Sequence, residues 1–261
     1  MKVIILVLFA VALPFTALAS ETDFYFQVQS LDWREYDLND KQLVKESGPI
    51  FGMGYTGKYY IPKPLVLKPR IELFGGVVDY DGQTWGGDPV SAETGFLGVK
   101  LEADLGLNFP ITLDFPLENK RFSIEPFAGL GNRQWTRHTG YFEDWNIFYS
   151  RFGLRVVMVE ESDKNEFFAE GALKLPISNK MTADLTDLGF SKITLRPGKK
   201  PSFYIEGGIR LSKFKISLFY EGLRFLKAPD VDLGTRDGQQ WFCYQPESKA
   251  DIYGLNLGYS F

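Results

Sequence analysis

Between Leu97 and Leu107 apolar and polar residues alternate without a break. Leu97, Val99, Leu101, Ala103, Leu105 and Leu107 share one parity; Gly98, Lys100, Glu102, Asp104 and Gly106 share the other. A helix would spread those leucines around its circumference, whereas period two sorts them onto one face of a strand. The same alternation predicts nine more strands, near Phe24–Tyr36, Ile50–Ile61, Leu65–Tyr80, Arg121–Trp135, Trp145–Glu160, Glu166–Leu175, Phe203–Leu211, Phe214–Phe225 and Ile252–Phe261. The first is amphipathic but untidy, and its inward face is not fixed by the pattern. Long links are predicted at Asp37–Pro49, Asp81–Thr94, Thr136–Asp144, Pro176–Ser202 and Leu226–Ala250. Shorter ones fall at Pro62–Pro64, Asn108–Lys120, Glu161–Asn165 and Ser212–Lys213. Pro110 and Pro116 argue against a regular strand within Asn108–Lys120. No repeat of 20 to 50 residues and no internal domain boundary emerges.

Composition leaves two architectures open. Aromatic residues make up 16% and glycine supplies 26 positions, while mean hydropathy is −0.14. A secreted β-sandwich fits these values. So does a transmembrane barrel, in which every second residue faces a polar interior. Lys2, the apolar run Val3–Leu13, the break at Pro14 and the small-x-small element Ala17-Leu18-Ala19 read as a secretory signal peptide over residues 1–19. Residues 20–261 then form one domain. No Cys follows the cleavage point, so a lipid anchor is not expected. The single Cys243 excludes an intramolecular disulfide framework. A net charge of −4, from 29 basic and 33 acidic residues, gives no support to nucleic-acid binding.

The last strand decides between the two architectures. Tyr253, Leu255, Leu257, Tyr259 and Phe261 lie on one parity, against Gly254, Asn256, Gly258 and Ser260. This stretch resembles the C-terminal strand of bacterial outer-membrane β-barrels, which typically ends in Phe and serves as the signal to the assembly machinery. The resemblance implies an all-β fold: a transmembrane antiparallel up-and-down barrel of about ten strands, between eight and twelve. It implies an integral, monomeric protein of the Gram-negative outer membrane. Its partners would be outer-membrane lipid, lipopolysaccharide and the assembly machinery. Alternating long and short links then put the long loops outside the cell and both termini in the periplasm. No cofactor or metal site is expected.

Inside such a barrel the polar parity collects Lys68, Arg70, Glu72, Lys100, Glu102, Asp104, Glu125, Arg151, Arg155, Glu170, Lys174, Glu206, Arg210 and Glu221. Small barrels have interiors about wide enough for their own side chains, and open porins need around 16 strands. Mixed charges in so narrow a space are expected to pair and fill the lumen. Three function classes follow: a structural or surface-interaction barrel with display loops, a narrow channel for ions or small solutes, and a lipid-A-modifying or proteolytic enzyme. The enzyme class leans on the lone His138, weakly, with Glu143 and Asp144 near in sequence; the His-x-Ser element of some barrel enzymes is missing because position 140 is Gly140. The turn formers Asp81-Gly82 and Gly86-Gly87 read first as a hairpin loop with an aromatic tip, and second as a carbohydrate or lipopolysaccharide contact through Tyr80 and Trp85. Lys180, Lys192, Arg196, Lys199 and Lys200 form a basic loop, diluted by Asp184 and Asp187, that would favour anionic lipopolysaccharide.

Overall fold

The computed structural model describes residues 21–83, 87–111, 120–160, 165–236 and 238–261. The expected signal peptide, Trp85 and the Leu113–Pro116 stretch lie outside the described residues. Ten long strands follow one another: β1 (Glu21–Tyr36), β2 (Gln42–Tyr60), β3 (Leu65–Gln83), β4 (Pro89–Leu107), β5 (Lys120–His138), β6 (Phe142–Glu160), β7 (Asn165–Asp184), β8 (Ser202–Leu211), β9 (Phe214–Leu226) and β10 (Glu247–Ser260). Each pairs antiparallel with its sequence neighbours. β10 pairs with both β1 and β9, which closes the sheet into a ten-stranded barrel without an edge.

Several strands run past their expected ends. The links therefore shrink: β1–β2 is joined through residues 37–41 and β5–β6 through residues 139–141. The largest correction concerns β7, which passes through Pro176 rather than ending at Leu175. A register shift beside Tyr149 places that residue opposite Pro176 and lets pairing resume at Phe148↔Ser178. A bulge absorbs the missing donor, and the strand continues to Asp184. The 108–120 link also carries a short strand, Phe109–Ile111, against Phe122–Ile124, despite Pro110. A hairpin of Val231–Arg236 and Gln239–Cys243 rises from the β9–β10 connection.

Strands of 19 residues are far longer than a bilayer requires, and the outer face shows where the excess lies. On β1 the outward residues are Phe24, Phe26 and Val28, then Ser30, Asp32 and Arg34. On β4 Leu97 to Leu107 give way to Glu93 and Ser91; on β10 Tyr259, Leu257, Leu255 and Tyr253 give way to Asp251 and Lys249. These changes align across the barrel, for Asp32 is paired with both Asp251 and Ser47. The apolar band spans about 11 residues, roughly 25 Å of height at the usual strand tilt. Above it the wall continues as a collar with a polar outer surface.

The interior changes at the same level, in the opposite sense. Within the band charged side chains dominate, interleaved with the buried rings of Tyr25, Phe74, Phe127, Phe168, Tyr204 and Phe219. Within the collar it holds Trp33, Val78, Phe96, Trp135, Trp145, Ile147, Met181 and Phe225, all buried.

Candidate functional site

Small residues on the inner face give the lumen its shape. A Cβ at Gly54 would stand 2.2 Å from the Tyr25 ring, one at Gly131 2.3 Å from Tyr149, and one at Gly153 2.4 Å from Phe127. Aromatic rings thus lie flat over inward glycines of the adjoining strand, and these positions are filled, not vacant. Two of the rings carry hydroxyls that reach carboxylates. Tyr25 donates to Glu72 at 2.8 Å and Tyr149 donates to Glu102 at 2.7 Å.

The structure places all fourteen charged residues gathered by parity on the inner face, seven cations and seven carboxylates. Glu221 of β9, 1% exposed, accepts from Lys100 at 3.2 Å, Arg133 at 3.0 Å and Lys174. Glu170 of β7 receives Arg151 at 2.9 Å, Arg155 at 2.6 Å and Lys68 at 3.2 Å. Arg151 also meets Glu102 and, at 3.3 Å, Asp104; Arg155 meets Glu125. Arg70 donates to Tyr204 at 2.7 Å and to Glu206 at 3.0 Å. Arg210 closes the end opposite the collar through Asp23 at 3.2 Å and Glu166 at 3.1 Å. Every charge meets an opposite one, the condition under which buried ions are tolerable. Two cavities among the described residues here are of water size, about 30 Å³ beside Asp23, Lys68 and Arg210 and about 10 Å³ beside Lys174.

Pattern reading had left out a second cluster, because its residues fall where loops were expected or on the unfixed face of β1. In the collar, Arg137 faces Glu35 at 2.9 Å and both Glu46 and Glu143 at 3.4 Å. Trp33 donates to Glu35 at 2.9 Å and Trp145 to Glu143 at 3.1 Å, while Thr94 donates to Glu46 at 2.8 Å. Trp135 and Trp145 stack with centroids 5.2 Å apart, and Trp33 and Phe225 pack edgewise or tilted against Trp145. Three carboxylates share one guanidinium here. Glu46 lies above the apolar band, outside the membrane-spanning segments. Burial, opposed by Arg137 and reinforced by Glu35, raises its pKa to about 7. Its Oε2 has no hydrogen-bond partner.

The remaining candidates are dispersed. His138 is the last residue of β5, not a loop residue; it faces outward and stacks on Phe142 at 4.3 Å. Glu143 points the other way, into the collar, and Asp144 is held by Thr136 at 2.6 Å. The structure does not bring the three together. Tyr80, expected at the end of its strand beside a loop, lies within β3, which runs on to Gln83, and it turns half-buried into the collar. Lys180 sits on β7; Lys192 pairs with Asp184 at 2.7 Å and Lys200 with Glu247 at 2.9 Å, leaving Arg196 and Lys199 exposed. Half-buried Cys243 ends the hairpin, and burial pushes its thiol up to about 11, so it is a poor nucleophile at neutral pH. Tyr253, Leu255, Leu257 and Tyr259 face outward, and Phe261 is 77% exposed.

No family model and no curated protein sequence matches this chain. Among solved structures, it is similar to the outer membrane protease OmpT from Escherichia coli, at 12% identity and a TM-score of 0.49, covering 92% of this chain and 96% of that one. It is also similar to the transport unit of the autotransporter AIDA-I from Escherichia coli, at 11% identity and 0.49, covering 93% and 90%. A third, the COG4313 outer membrane channel from Pseudomonas putida, gives 10% and 0.38, covering 94% and 96%. A protease, a transport unit and a channel share no single activity. What this chain shares with them is the fold, a closed antiparallel barrel.

Proposed function

We propose that this protein is an integral outer-membrane barrel with a sealed lumen, which acts through its extracellular collar and loops as a structural or surface-interaction element. The observation that carries the reading is the paired ionic filling at membrane level. A conducting pore needs continuous space for a hydrated ion, and here Glu221, Glu170, Arg151 and Arg155 bridge the cross-section between β4, β6, β7 and β9. The aromatic collar above is a second stopper of different chemistry. Export through a cleaved leader and recognition of the terminal strand by the assembly machinery belong to the same reading.

Planar-bilayer recording tests it. The purified barrel is expected to give no steady unitary current in 1 M KCl. Replacing Glu221 and Glu170 together with Ala, if the barrel still closes, should produce flickering conductance. Stable channels from the unaltered protein would overturn the sealed-lumen reading in favour of a solute path.

A further inference from the structure

The outer wall of the collar is not uniform around its circumference. On β9, β10, β1 and β2, Arg224, Lys249, Arg34 and Lys45 stand opposite one another in register: Arg224↔Lys249, Lys249↔Arg34 and Arg34↔Lys45. Their chain neighbours Phe225, Ala250, Trp33 and Glu46 are buried inside, so the four cations face outward. With adjacent strands about 4.8 Å apart, the row is roughly 14 Å wide. It ends at Asp81 of β3, where Asp79 and Glu93 begin an acidic face. One tier below lie Asp32 and Asp251. Arg34 binds Asp32 at 2.7 Å, and Arg224 binds Asp251 while also donating to the Ala250 carbonyl at 2.7 Å. Lys45 and Lys249 have no ion-pair partner among the described residues; Lys249 lies 4.8 Å over the Tyr36 ring. The four cations outnumber the three carboxylates around them, Asp32, Asp251 and Asp81, so the row keeps a net positive charge.

Beneath this row, on the same four strands, the apolar wall is indented. An open hollow of about 660 Å³ is lined by Val28, Ser30, Pro49, Leu218 and Tyr253. It exists because Ser30, between Tyr253 and Pro49, is smaller than the aromatic and leucine side chains around it.

We propose that this wall binds a phosphorylated glycolipid of the outer leaflet, with an acyl chain in the hollow and anionic groups on the Arg224–Lys45 row. The inference rests on the reading that the apolar band faces lipid. Height selects a glycolipid over a phospholipid. From Ser30 to Arg34 is four residues, about 13 Å along the strand and about 10 Å of height at the usual tilt. The headgroup layer of a phospholipid is only about 5–8 Å deep, and at that depth the wall presents the carboxylates Asp32 and Asp251. The cations stand where a glycolipid carries phosphates on its sugars.

The test uses the folded barrel in detergent with three probes: fluorescent lipopolysaccharide, the same material after phosphatase treatment, and phosphatidylglycerol as competitor. Lys45→Gln with Lys249→Gln should weaken lipopolysaccharide binding at least tenfold at low salt. Lys213→Gln, at the opposite end, should leave it unchanged. Ser30→Phe, which fills the hollow without altering charge, should weaken it several-fold. The phosphatase-treated lipid should bind at least tenfold more weakly, and phosphatidylglycerol should fail to compete. Equal binding by the double variant, or efficient competition by phosphatidylglycerol, would overturn the proposal. Reconstitution into phosphatidylcholine vesicles separates the two readings. A barrel that inserts but ignores lipopolysaccharide loses this proposal alone, and one that does not insert loses the membrane reading.

Discussion

Glu46→Gln replaces a buried carboxylate by a neutral isostere, and the surroundings of Glu46 set the sign of the effect. Glu46 sits among Glu35 of β1, Arg137 of β5 and Glu143 of β6, under Thr94 of β4, with Tyr80 of β3 and Gln245 of the β9–β10 connection lining the same collar. Burial first, then Glu35 and Glu143, disfavour its charged form; one guanidinium shared among three carboxylates does not offset them. An unfolded Glu titrates near 4.5 and this one near 7. Between those values the folded collar holds a proton that the unfolded chain has released, so stability falls as pH rises from about 4.5 to about 7 and then levels. At 1.36 kcal/mol per pH unit the loss is about 3 kcal/mol at pH 8. The glutamine variant escapes that loss. It should match the parent at pH 4.5 and exceed it by about 2–3 kcal/mol at pH 8, read from urea midpoints in detergent across the range. Amide exchange in residues 44–48 and 135–145 should slow in the variant at pH 8 alone. A parent-to-variant difference that does not change with pH, or a variant less stable at pH 8, would refute the reasoning and show that ionised Glu46 is well held by Arg137.

Glu221→Ala leaves Lys100, Arg133 and Lys174 without their shared carboxylate and should cost about 3–5 kcal/mol, measured by urea unfolding. Glu221→Gln should recover part of that. Gly54→Val should push the Tyr25 ring off its seat, break the bond to Glu72 and destabilise the barrel by about 1–3 kcal/mol; tyrosine fluorescence and the unfolding midpoint report both effects. Trp145→Ala opens the centre of the collar stack and should cost about 3–5 kcal/mol, with the loss of exchange protection confined to residues above the apolar band. Phe261→Ser should slow insertion by purified assembly machinery in proteoliposomes while leaving the folded barrel's urea midpoint within about 0.5 kcal/mol, since the ring is exposed.

Parity alone made the membrane-level half of this molecule legible. Each strand there has lipid on one side and a charged lumen on the other, so apolar and polar residues alternate cleanly, as on β4. The collar was not legible in that way, for a physical reason visible on β1. Phe24, Phe26 and Val28 point outward; Leu31 and Trp33, of opposite parity, point inward. The hydrophobic phase reverses between residues 28 and 31 although the strand does not bend. Read as one amphipathic strand, this looks untidy. The same reversal occurs on β6 between Phe148 and Ile147, and on β9 between Leu218 and Leu223. Segments beyond it therefore read as loops, and Glu35, Glu46, Arg137 and Glu143 were not gathered into one cluster. For β7, Pro176 added a second false stop.

That reversal is itself informative about how the barrel is held together. Where hydrocarbon surrounds the wall, burying apolar side chains inside gains nothing over leaving them in lipid, so the interior can be polar provided every charge is paired. Where water surrounds the wall, the strands need an apolar interior to stay closed. The collar meets that need with the Trp33, Trp135, Trp145 and Phe225 stack. One closed sheet thus has two cores of different balance, mainly ionic within the band and mainly aromatic in the collar, joined at the level of Ser30 and Tyr253. It follows that the two halves should respond oppositely to their surroundings. High salt weakens ion pairs most where water reaches them and strengthens apolar burial. It should therefore firm the collar while loosening the opposite rim, where Arg210 holds Glu21, Asp23 and Glu166 only partly shielded from solvent. Amide exchange mapped at low and high ionic strength checks this, and uniform protection changes along the strands would contradict a two-core barrel.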